Sequence, residues 1–128
     1  MNPPYTAVLI PAAAYRPMEI IAINDLDEGL DFLVGGECDV IHPNYLNQTW
    51  WVNQDRTVLG LARNDRATDL AYRHGVITET YYYEGKHIAG DMVITGGTDR
   101  TGEPLGLPED QAVRLIRTIP DLHGATRI

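Results

Sequence analysis

The chain has 128 residues, 44% of them apolar and 22% charged, which suits one folded domain with a real core and excludes intrinsic disorder. No apolar run reaches the roughly 20 residues that span a bilayer, so no membrane partner is expected. Ten basic residues against 18 acidic ones give a net charge of −8, and direct nucleic-acid binding normally requires a basic face instead.

The charge is unevenly spread. Residues 1–60 hold eight acids and two bases, whereas residues 61–128 hold ten and eight. Between Glu19 and Asp39 there are seven acids and no base. Nine of the ten bases are Arg, Lys86 being the exception, a bias in keeping with a GC-rich genome. The lone Cys38 has no partner for an internal disulfide, which agrees with a reducing compartment. The apolar run at the start has signal-peptide size. However, no cation precedes it, and Pro3, Pro4 and Pro11 sit badly in a signal helix. It reads as an edge strand of a cytoplasmic protein.

In chain order, Tyr5 to Ala12 and Met18 to Ile23 are β-rich runs separated by the stretch around Pro17. Asn24 then suits a helix N-cap, and Asp25, Asp27 and Glu28 complement the dipole of the first turn. Leu26, Leu30, Leu33 and Val34 make one apolar stripe, and Gly35-Gly36 supplies the stop. Cys38 to His42, Thr49 to Asn53 and Thr57 to Ala62 read as strands. A short helix is expected from Asp65 to His74, capped by Asn64, closed by Gly75, with Ala67, Leu70 and Ala71 inward. Val76 to Tyr83 and His87 to Thr95 are β-rich runs around the hairpin residues Glu84-Gly85-Lys86. Gly96 to Gly106 is a loop. A last helix follows Pro108, with Ala112, Val113, Leu115, Ile116 and Ile119 buried, and Pro120 ends it. The expectation is a single α+β domain over residues 1–128: a mostly antiparallel or mixed sheet of five to seven strands carrying two or three helices.

Chemistry-bearing motifs are scarce. Asp25-x-Asp27-x-Gly29 has a calcium-loop beginning, but its sixth position is Leu30 and its twelfth Gly36, where an EF-hand needs Gly and Glu. Cys38 and His42 would lie roughly 13 Å apart on a strand, too far to share zinc. Cys38 has acidic neighbours at Glu37 and Asp39 and no cation to activate it. The glycine loop matches neither a dinucleotide nor a P-loop pattern, and the next helix opens with acids that repel phosphate. No catalytic residue, metal or cofactor is therefore assigned.

Two features remain as candidate ligand or partner sites. The first is aromatic: on alternating strands, one of Trp50-Trp51 and one or two of Tyr81-Tyr82-Tyr83 must turn away from the core side. The second is the repeated vocabulary of VNQDRTVLGLARNDRAT, where Asn64 and Arg66 could meet a ligand. Turn chemistry accounts for the same residues, with Asp55-Arg56 between two β-rich runs and Asn64 at a cap position.

The stretches LDEGLDFLVGGECDVI, VNQDRTVLGLARNDRAT and IAGDMVITGGTD, from Leu26 to Asp99, resemble a family known as domain of unknown function 3846. The shared elements are Val34-Gly35-Gly36 after a helix, an Asn-x-Asp turn, Asn64 with Ala67-Thr68, and Ile88-x-Gly90. The resemblance implies an accessory protein of phages or mobile elements acting in the host cytoplasm, and it supplies no catalytic residues. The leading expectation is thus a non-enzymatic protein that binds a host protein. An acidic DNA mimic of the anti-restriction kind, and a small-ligand or nucleotide binder using Asn64, Arg66 and the glycine loop, are the alternatives. Exposed strand edges make a homodimer a further expectation.

Overall fold

A computed structural model of the chain describes residues 4–43, 46–77 and 87–119. Five strands, β1 (Tyr5–Ile10), β2 (Glu19–Ile23), β3 (Cys38–Ile41), β4 (Gln48–Asn53) and β5 (Met92–Gly96), form one sheet. Three helices, α1 (Leu26–Val34), α2 (Asp65–Arg73) and α3 (Glu109–Thr118), pack on it. The strand order is β2-β1-β5-β4-β3, and every neighbouring pair is antiparallel. The expected α+β class holds.

Connectivity explains the layers. β2 and β3 lie at opposite edges yet run in the same direction, because four antiparallel steps separate them. Joining them takes a crossover, and α1 makes it, crossing one face of the sheet. α2 and α3 cover the other face. One core therefore holds Ala7, Leu9, Ile23 and Val93 beneath Leu30 and Val34. The second holds Val8, Ile10, Trp50, Val52, Met92 and Ile94 beneath Leu70, Ala112 and Leu115. β5, in the middle, is buried at all five positions, as a strand covered on both sides must be.

The helix signals worked locally. Gly35 takes φ 81° and its N–H bonds Asp31 O, ending α1. The cap of α1 is Asp25, not Asn24: its carboxylate accepts from Glu28 N at 3.1 Å. Asn64 caps α2 as expected, accepting from Ala67 N at 3.0 Å. In α3, Ala112 and Leu115 are buried.

Three strand expectations need correction. The opening run is not an edge strand: β1 lies between β2 and β5 and pairs with both, and Pro11 falls just past its last residue, Ile10, where the missing N–H costs no ladder bond. Thr57 to Ala62 is not a strand: residues 54–60 form consecutive turns, and only Arg63 makes an isolated bridge, to Ala89. Among the described residues this segment has no partner strand, so its β-branched residues Thr57 and Val58 do not decide its conformation. The run from His87 starts as irregular chain and becomes strand only at Met92. Gly90 breaks it, with φ 79° and no room for a side chain beside Leu61. The run Val76 to Tyr83 lies largely outside the described residues, as do the hairpin Glu84-Gly85-Lys86 and the stop at Pro120.

Candidate functional site

The polar residues of VNQDRTVLGLARNDRAT resolve into two knots of backbone hydrogen bonds. In the first, Asn53 is 3% exposed. Its Nδ2 donates to Val34 O at 3.0 Å, satisfying a carbonyl at the end of α1, and its Oδ1 accepts from Asp55 N at 2.7 Å. The Arg56 guanidinium closes the turn by donating to Asn53 O at 3.1 Å and lies 3.4 Å from the Asp39 carboxylate. Gly36 is where a side chain would crowd the amide, its Cβ falling 3.1 Å from Asn53 Nδ2. The Gly-Gly pair and the Asn-x-Asp turn are thus one device tying α1 to β4.

The second knot centres on Asn64, which is fully buried. Its Nδ2 donates to Ile10 O at 2.8 Å and Gly90 O at 2.9 Å, while its own N–H donates to Ile88 O. Thr68 Oγ1 donates to Asn64 O at 2.7 Å and accepts from Ile88 N at 3.0 Å. Arg66, 4% exposed, donates through one nitrogen to Pro11 O, Ala13 O and Arg16 O. Asp91 meets the same loop, accepting from Ala12 N at 2.8 Å. Asn64 and Arg66 therefore sit together, and the contacts described for them are to the backbone of the protein.

The tryptophans do not form a common surface. Trp50 is fully buried on the α2–α3 side, with Nε1 donating to Gln48 Oε1 at 3.0 Å. Trp51 turns to the α1 side, and its Nε1 donates to Thr95 Oγ1 at 2.9 Å. The sheet has two covered faces, so the residue turned from one core enters the other. Tyr81, Tyr82 and Tyr83 lie outside the described residues.

Trp51 also edges a shallow concavity of about 310 Å³ with Cys38, Asp27, Asp31 and Glu37. Burial, a hydrogen bond with Asp31 and the charges of Asp31 and Asp27 push the Cys38 thiol up to about 12. A nucleophilic cysteine needs the reverse shift. Among the described residues, no group of three or more His, Cys, Asp or Glu is placed to hold a metal ion.

A different surface was not singled out by motif reading. Along the outer edge of β2 and the start of α1 runs an apolar groove of about 470 Å³. Ile21, Ile23, Gly29, Phe32 and Leu33 contribute to its lining, together with the acids Asp25 and Glu28. Gly29 permits the close approach of helix and strand, since a Cβ there would collide with Ile23 Cγ2. Phe32, on α1, is 83% exposed, and Ile20, on the face of β2 opposite Ile21 and Ile23, is 44% exposed. The signal was present in sequence as the one large apolar residue of α1 outside its buried stripe, Phe32.

The fold and its two buried asparagine knots define a small α+β domain whose shared motif residues hold backbone together. The chain belongs to the family described as Domain of unknown function (DUF3846), whose model matches residues 6–119. No curated protein and no solved structure matches it.

Proposed function

We propose that this chain is a non-enzymatic accessory protein, of phage or mobile-element type, that acts by binding a host protein in the cytoplasm. The observation that carries the reading is the exposed apolar groove beside β2 and α1, with Phe32 standing almost free of the protein. An apolar side chain that exposed, next to a concavity, gains most by being covered. The motif polar residues support it from the other side, because Asn53, Asn64 and Arg66 spend their hydrogen bonds on the protein's own backbone. The inert Cys38 thiol points the same way.

The mixed charge of the rest of the molecule weighs against a DNA mimic. Acids crowd the α1 side, but α2 and α3 carry Arg73, Arg114 and Arg117. Affinity capture from host lysate with the tagged chain tests the reading. One protein enriched in stoichiometric amount is the expected result, and recovery of nothing above a tag-only control overturns it.

A further inference from the structure

We infer that the β2 groove takes an extended segment of a partner protein, added as a sixth strand, with an apolar anchor and a Lys or Arg two residues away. This rests on the protein-binding reading above and specifies its chemistry.

The two edges of the sheet differ. β3 is four residues long, and the Arg56–Asp39 ion pair lies on it. Charges and shortness of that kind protect an edge from pairing. β2 reads Glu-Ile-Ile-Ala-Ile, with no charge after Glu19, no proline and no bulge in its register with β1. Its backbone is paired to β1 on one side and is terminal on the other among the described residues. Such an edge is a template for strand addition, in which main-chain bonds give affinity and side-chain pockets give specificity.

The groove sets which side chains fit. Alternate residues of an added strand would face the α1 side, where Phe32 and Leu33 offer apolar contact. Glu28 lies one helical turn before Phe32, about 6 Å along α1. Same-face residues on a strand are about 7 Å apart. The side chain two positions from an anchor against Phe32 is the next one on the groove side; Glu28 and Asp25 line that same groove, and their carboxylates select a cation. Asp27 and Asp31 on α1, and Glu19 at the start of β2, extend the negative field with no base between Glu19 and Asp39.

The same field disfavours a second copy of this chain. Pairing β2 with β2 would bring two sets of these acids together. Val58 and Leu59 are also exposed, but they stand on a turn segment and line neither the groove nor the concavity beside Trp51.

The test uses the full chain and an array of capped heptapeptides. Leu, Val or Phe occupies the centre, and Lys, Arg, Ser or Glu stands two places to either side. Binding should favour Lys and Arg over Glu by about tenfold or more, and the preference should shrink as salt rises. Amide shifts of the isotope-labelled chain should concentrate on Glu19–Ile23 and Glu28–Leu33. Glu28→Lys should weaken the preference for Lys and Arg several-fold without reversing it, since Asp25 remains in the groove, and Phe32→Glu should abolish binding. Both positions face solvent, and an unchanged melting midpoint certifies the fold. No binding anywhere in the array, indifference to the flanking charge, or shifts centred elsewhere would each overturn the proposal. So would concentration-dependent dimerisation with shifts on β2, which assigns the edge to a second copy. A host protein captured equally by the Glu28→Lys/Phe32→Glu variant refutes the groove and leaves protein binding standing, whereas capture of nothing by either form refutes protein binding itself.

Discussion

Asn64 ties three segments of the chain together through one buried side chain. Its amide joins the end of β1, the turn at Gly90 and the first turn of α2 through two donated bonds and one accepted. Asn64→Ala would orphan two buried carbonyls and one N–H, each costing roughly 1–3 kcal/mol. Urea denaturation should show a loss of about 3 kcal/mol or more, and a loss under about 1 kcal/mol would mean that water replaces the amide. Cys38 makes a residue-scale prediction about reactivity. With the thiol pushed up to about 12 from 9.0, almost none is thiolate at neutral pH. Alkylation of the native protein near pH 8 should run at least about a hundredfold slower than for the urea-unfolded chain. The sign for stability follows from the same shift. The folded thiol holds its proton longer than the unfolded one, so its contribution is complete below pH 9.0 and is lost as pH rises toward about 12. A Cys38→Ser variant should lose that alkaline component, which parallel pH titrations of the melting midpoint would reveal.

Among the elements, α1 combines a structural face and an exposed one. Leu30 and Val34 are buried against the sheet, whereas Phe32 projects outward. Gly29 sits between these roles. In an open helix Gly→Ala gains about 1 kcal/mol, but here the added methyl meets Ile23 in β2. The clash should outweigh the gain, so that Gly29→Ala destabilises by about 1–2 kcal/mol net in denaturant titration. A stabilised variant would show that α1 is not held against β2 as described. The loop that follows β5 obeys the same logic of contact. Leu107 N donates to Thr6 O at 2.7 Å, and a Cβ on Gly96 would strike Gly106 O. Gly96 and Gly106 serve close backbone passage, and Asp99 organises the tip by accepting from Thr101 and Glu103.

For the whole molecule, the net charge of −8 and the one-sided run of acids mean that folding gathers like charges across the crossover. Salt should relieve that repulsion. The melting midpoint should rise by several degrees between about 10 mM and 300 mM NaCl, where the Debye length falls from about 30 Å to below 8 Å. A midpoint that falls with salt would mean the surface ion pairs, such as Arg73–Asp69 at 2.9 Å, outweigh the repulsion.

Local chemistry settled in the sequence what depends on a few neighbouring residues. The cap at Asn64 and the turn at Asn53 follow from side chains bonding backbone two or three residues away, the stop at Gly35 from its positive φ, and the stripes of α1 and α2 from helical periodicity. Sequence could not show that the sheet is covered on both faces, because that depends on α1 crossing between opposite edges. The same global fact buried Trp50 in one core, packed a partly exposed Trp51 against the other, and left Thr57 to Ala62 without a strand to pair with among the described residues. It also left β2 at the rim beside an exposed Phe32. Pairing partners and edge positions are properties of contacts between residues far apart in the chain, and only the assembled sheet decides them.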